Sequence, residues 1–152
     1  MTIITALATG QAHNAFGLGV AINGYPGRYA SGTQVQTGGG LAMQGEIKLA
    51  NDLALVPSLG IEVPYFIYLG LSGKCYLQRS FFIHFGGFLH LGGADIYDSG
   101  PGVTGGIGVA LLAEKMHSLE ATLHTDIMRY DTRTKAIVGV RLTYNFSFSK
   151  LD

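Results

Sequence analysis

The chain has no tryptophan, a single cysteine and only 13% charged residues, and each shortage removes a class of protein. With Cys75 alone, no disulfide can form within the chain. Ten basic residues balance ten acidic ones for a formal net charge of zero, so the electrostatic footprint of a nucleic-acid binder is missing. No apolar run reaches the ~18 residues of a membrane-spanning helix. The charged share is about half that of an ordinary soluble domain, and a soluble surface wants about 25–35%.

What is plentiful is glycine and alternation. Twenty-three glycines are spread along 152 residues without a collagen period. The stretch "AIVGVRLTYNFSF" (136–148) puts Val138, Val140, Leu142, Tyr144, Phe146 and Phe148 at every second position, with Ile137, Gly139, Arg141, Thr143, Asn145 and Ser147 between them. A period of two predicts a β-strand with unlike faces. Eight such segments are predicted: 14–24, 40–50, 53–62, 66–77, 80–92, 103–114, 118–129 and 136–148. The ambiguous "VALLAEKM" (109–116) reads as a strand because Gly105, Gly106 and Gly108 precede it. The barrel-forming unit is a single domain over 14–150. Residues 1–13 read as an N-terminal arm or a signal-peptide remnant, because small residues end at Ala12 without a preceding basic region.

Short links at Ala50–Leu53, Leu77–Ser80 and Glu114–Ser118 alternate with longer ones at Tyr25–Gly39, Gly93–Gly102 and Tyr130–Lys135. Val63–Tyr65 is a short link on the long side. This alternation belongs to an up-and-down barrel with two unlike rims. Pro57 cannot donate to a ladder, so a bulge is expected in the third strand.

Parity decides which face meets which medium. One face carries large residues such as Phe16, Leu18, Leu41, Leu69, Ile83 and Leu142; the other carries Gly, Ala and a few polar groups. An eight-stranded lumen has little room for the large set, and strand 1 would offer a soluble exterior no charge. Large residues outward and small ones inward satisfies both constraints. The expected fold is all-β: an eight-stranded antiparallel up-and-down transmembrane barrel. Tyr25, Tyr65, Phe66, Tyr97 and Tyr130 near the long loops, and Phe16, Tyr76, Phe81, Tyr144, Phe146 and Phe148 near the short turns, are expected to form two interfacial girdles.

The same parity sends Glu46, Glu62, Glu120 and Asp126 into the lumen with Lys48, Lys74, Arg141 and His124. Buried charges pair, so this set is expected to form a salt-bridged plug, with Arg141 held by Asp126, Glu120 or an acid across the lumen. Inward glycines leave room for some water, but eight strands leave little bore. His84 and His90, six residues apart on one strand, lie about 20 Å from each other by the usual rise and cannot share an ion. No metal and no cofactor is expected.

The run Gly139-Val140-Arg141-Leu142-Thr143-Tyr144, continued by Phe146 and Phe148, resembles the C-terminal strand of bacterial outer-membrane barrels. The pattern over residues 14–148 is similar to the small eight-stranded family that includes the OmpA transmembrane domain and OmpX. The resemblance implies a Gram-negative-type outer membrane with both termini periplasmic. It also implies recognition by the barrel-assembly machinery through Gly139, Leu142, Tyr144, Phe146 and Phe148. Basic rims are common on such barrels, so Arg129, Arg133 and Lys135 are candidates for lipopolysaccharide phosphates. "LHTD" (123–126) resembles the His-x-Ser pair of the lipid A deacylase barrels, but Asp126 stands where the serine nucleophile would be, and an aspartate cannot take that role.

The expected function is therefore non-enzymatic: envelope integrity, or adhesion or partner contact through surface loops. A lipid A-modifying hydrolase is the second reading and a narrow channel the third. The expected partners are outer-membrane lipid, lipopolysaccharide, the assembly machinery and a loop partner the sequence does not name.

Overall fold

The structure is a computed structural model that describes residues 12–26, 34–78, 80–92, 99–114, 116–130 and 133–148. It contains eight strands: β1 (Ala15–Pro26), β2 (Val35–Lys48), β3 (Leu53–Glu62), β4 (Phe66–Gln78), β5 (Phe81–Leu91), β6 (Gly100–Glu114), β7 (His117–Tyr130) and β8 (Arg133–Ser147). Each pairs antiparallel with its neighbours in sequence, and β1 pairs with β8, so the sheet closes into an up-and-down barrel. Among the described residues there is no helix.

Period-two patterning becomes two surfaces. Leu69 is 61% exposed, Ile83 43% and Leu142 42%, all on the outer wall. Large apolar side chains are exposed on all eight strands, which makes an apolar belt around the cylinder. Monomeric soluble proteins rarely expose contiguous apolar patches beyond a few hundred Å². The medium that suits this wall is hydrocarbon, and closure leaves no unpaired edge inside it. The fold is a transmembrane β-barrel.

Three strands begin three or more residues earlier than the alternation suggested. β2 starts at Val35, β6 at Gly100 and β8 at Arg133, because polar and Gly-rich residues still pair where the sheet rises clear of the apolar belt. In β2 the pairs Tyr25↔Gln36, Gly24↔Thr37 and Asn23↔Gly38 carry the β1–β2 ladder onward. Periodicity of hydrophobicity cannot mark such an extension, since both faces there are wet.

Pro57 does not produce the expected bulge. It stays in register with Leu71 on β4, and on the β2 side pairing only lapses between Gln44↔Ser58 and Ile47↔Leu55, with the same register before and after. The register shifts lie elsewhere, between Tyr76 and Gln78 on β4 and between Ala110 and Leu112 on β6. The second accounts for the broken alternation of "VALLAEKM", because Leu111 and Leu112 are both exposed beside the bulge.

The described ends meet at the short-turn rim. The Phe148 amide donates to the Asn14 carbonyl (2.9 Å) and the Ser147 amide to the Met116 carbonyl (2.7 Å). Ala12 and His13, expected in a separate arm, enter the barrel mouth: Ala12 is buried and its amide donates to the Asn51 carbonyl at 2.9 Å. Residues 1–11, and with them most of the expected arm, lie outside the described residues.

Candidate functional site

The lumen is where the chain concentrates its chemistry, and it is built in tiers. At the short-turn end Ala12, Ala54, Tyr76 and Phe82 form an apolar cluster. Above it Lys74 Nζ sits 2.8 Å from Glu46 Oε2 and 2.7 Å from Glu120 Oε1, all three buried. The Tyr76 hydroxyl donates to Glu46 Oε1 at 2.8 Å and reaches Glu120 Oε1 at 3.4 Å. The ammonium lies over the Phe82 ring at 4.2 Å and the Tyr76 ring at 4.8 Å, so rings and carboxylates together replace its water shell.

The upper tier centres on Glu62, which is 1% exposed. Glu62 accepts from Arg141 Nη2 at 2.8 Å, from the Tyr68 hydroxyl at 2.8 Å and from Asn23 Nδ2 at 3.1 Å. Beside it the Tyr65 hydroxyl donates to Asp126 Oδ2, and His124 Nε2 lies 3.6 Å from the same oxygen. The long-loop end is stoppered by Tyr65, Tyr68, Phe88, Met128, Ile137 and Ala42, with half-buried Tyr25 against them. Tyr65 packs on Tyr68 and Phe88 with ring centroids 5.5 and 5.6 Å apart.

Between the stoppers lies a cavity of about 60 Å³ lined by, among others, Ser58, Ser72, His84, Thr104, Asp126 and Arg141. This is room for a few waters. Part of the space that inward glycines leave is filled by rings. A Cβ at Gly60 would collide with the Tyr68 ring, and one at Gly108 with the Phe82 ring. The sequence alone could not tell an empty glycine position from one already filled by a neighbour's ring.

Several sequence expectations need correction here. Lys48 does not join the lumen charges; it is exposed at the end of β2, where its amide donates to Asn14 Oδ1 at 2.9 Å. Tyr65 and Tyr76 are not girdle residues but buried lumen donors, and Tyr25 also turns inward. Tyr97 and the side chain of Tyr130 lie outside the described residues. Arg141 pairs across the ladder with Thr122, while His124 faces Gly139. The acid that holds Arg141 is Glu62, on the far side of the lumen.

The remaining predicted residues divide between two places. On β8, Leu142, Tyr144 and Phe146 are exposed on the outer wall, as is Phe148 just past its end, whereas Gly139 is on the inner face under His124 and Asn23. His117, which the sequence reading did not single out, stacks on Tyr144 and accepts or donates at Nδ1 with its hydroxyl at 2.6 Å. Arg129, Arg133 and Lys135 gather at the β7–β8 end of the long-loop rim, where Arg129 pairs with Thr134 and Lys135 with Met128. Arg129 and Arg133 are exposed, and Lys135 is half-buried. Arg28, Tyr29, Asp95, Asp98 and Asp131, in the long links, lie outside the described residues. His124 and Asp126 face the lumen, not lipid, with a tyrosine rather than a serine beside them.

No protein-family model and no curated protein sequence matches the chain. Among solved structures, Ail, the attachment invasion locus protein of Yersinia pestis, aligns at 9% identity and a TM-score of 0.53, over 91% of this chain and all (100%) of that one. A barrel described as a de novo designed transmembrane β-barrel aligns at 10% identity and a TM-score of 0.51, over 86% of this chain and 94% of that one. At such identities the likeness is one of fold.

Proposed function

We propose that this chain is an outer-membrane protein of a Gram-negative-type envelope, with the Asn14–Phe148 rim toward the periplasm, and that it works through its long-loop rim. Its task on this reading is envelope integrity, or adhesion or contact with a partner. The observation that carries the reading is the stoppered lumen, with Tyr65, Met128 and Ile137 at one end and Ala12, Tyr76 and Phe82 at the other. A barrel whose lumen is packed with side chains at both ends, with a lipid-facing wall, keeps its rims for contact, and function concentrates on loops held by a rigid scaffold. The shared fold with Ail, a protein named for attachment and invasion, agrees with such a role.

Two surfaces follow from this reading. Arg129, Arg133 and Lys135 are placed to meet lipopolysaccharide phosphates, for which the guanidinium fork is well shaped. The outward row Leu142, Tyr144, Phe146 and Phe148, with Gly139 behind it, serves as the signal for the assembly machinery. The test is co-purification. The wild-type barrel extracted from outer membranes should retain lipopolysaccharide, and the Arg129→Ala/Arg133→Ala/Lys135→Ala variant should retain several-fold less. Equal retention would refute the basic-rim contact, and recovery of the protein outside the outer-membrane fraction would refute the location.

A further inference from the structure

The two ends of the lumen are closed in different ways. At the long-loop end Tyr65, Phe88, Met128 and Ile137 reach in from the strands and from the β3–β4 turn. At the short-turn end the wall itself offers little. Ala15 of β1, Ala54 of β3, Ser118 of β7 and Ser147 of β8 stand within two residues of their strand ends. Side chains this small cannot reach across an eight-stranded mouth, yet all four are buried. Tyr76 and Phe82 come from the adjacent strands β4 and β5, so both rings enter from one side.

A segment that belongs to no strand meets them there. Residues 12–14 precede β1 and lean over the mouth toward the β2–β3 turn. The Ala12 amide donates to the Asn51 carbonyl of that turn at 2.9 Å, and the Ala12 side chain packs with Ala54, Tyr76 and Phe82. The His13 amide lies 3.5 Å from Oε1 of Glu46, whose other oxygen takes Lys74. Asn14 anchors the root. Its Oδ1 accepts from the Lys48 amide at 2.9 Å, and its carbonyl accepts from the Phe148 amide at 2.9 Å and the Ser147 hydroxyl at 3.4 Å. The hold weakens away from that root: Ala12 brings one methyl group and the bond to Asn51, where β1 has a ladder on each side. Chain ends held by few contacts open at far lower cost than the strands beside them.

We propose that residues 12–14 are a detachable seal over the short-turn mouth, which lifts to admit water from that side while every strand stays paired. Lifting it uncovers Ser147 and the Glu46 carboxylate, and through them the Lys74 tier. The long-loop stopper does not move with it. Its members sit on strands or on the β3–β4 turn, which is tied down by Asn23 Nδ2 on the Val63 carbonyl at 3.0 Å and by the Tyr65 hydroxyl on Asp126. The lumen is therefore wetted from one end only, and no through-path forms. The seal presupposes the lumen packed at both ends that carries the proposed function.

Thiol labelling tests this. In a Cys75→Ser background, Ser147→Cys places a near-isosteric reporter directly under Asn14, and Ile137→Cys places one in the opposite stopper. Each chain is folded in detergent micelles, its folding is checked by heat-modifiable mobility on a gel, and a charged methanethiosulfonate reagent is added. In the complete chain both thiols should react far more slowly than in urea. Deleting residues 1–13, or setting a charge against the two rings with Ala12→Glu, should speed labelling of Ser147→Cys by about tenfold or more, the protection lost with a local closure. Ile137→Cys should stay protected in both variants. Either variant that folds decides the matter. An unchanged rate at Ser147→Cys would overturn the seal, and so would equal acceleration at Ile137→Cys, which would mean that the whole barrel loosens. A complete chain in which Ser147→Cys reacts as fast as in urea would instead overturn the closed lumen, and the seal with it.

Discussion

Glu62 shows how a single residue can organise the upper lumen. Its carboxylate takes an Arg141 guanidinium, a Tyr68 hydroxyl and an Asn23 amide, which together replace the water it gave up. Removing the guanidinium alone should be costly: Arg141→Met is expected to destabilise the barrel by about 3–5 kcal/mol, the usual penalty for stranding a buried charge. The pair variant Arg141→Met/Glu62→Gln should recover most of that loss, because no charge is then left unpaired. Urea titration in detergent micelles reads both. Gly60 makes a second residue-scale case. Its missing Cβ is the space in which the Tyr68 ring lies, so Gly60→Ala should cost about 1–3 kcal/mol through overpacking, visible as a lower urea midpoint with the fold intact.

At the scale of the strand, β8 does two jobs with its two faces. Inward it supplies Arg141, Thr143 and Asn145 to the lumen; outward it presents Val138, Val140, Leu142, Tyr144 and Phe146. The Tyr144–His117 stack and the His117–Phe146 edge contact tie that outer row to β7, each aromatic contact worth about 0.5–1.5 kcal/mol. Tyr144→Ala/Phe146→Ala should therefore lower the fraction of heat-modifiable, folded barrel on gels, while Val138→Ala, higher on the same face, should have little effect. Strands were the part of the structure most open to reading from the sequence. Ile83, Leu69 and Leu142 alternate with small or polar neighbours, and that rhythm sets number, direction and face. The strand limit at Val35 was hidden because alternation fades where both faces are wet, and the one at Gly100 because glycine carries no side chain to mark a face. The inward turn of Tyr65 was hidden for a different reason: it lies in a three-residue link, where no period says which way a side chain points. Pairing partners across the lumen were also illegible, since parity gives a face but not a height or a rotamer.

For the molecule as a whole, the medium decides everything. The apolar belt predicts that an all-β circular dichroism spectrum will form only in detergent or lipid, and that buffer alone will give aggregate. A water-soluble monomer with the same spectrum would contradict the fold's orientation. The two stoppers predict no steady current after reconstitution into a planar bilayer, whereas sustained openings would mean that Tyr65 or Tyr76 leaves its place. The last consequence comes from the hydrogen bond between Phe148 and Asn14. Because the sheet is a ring and these two residues touch, the cylinder has no intrinsic beginning: a chain spliced there by a short bridge and cut open in a long loop would trace the same circle. Such a circular permutant is a route to fusing a cargo protein at the opposite mouth, with both new ends on that side.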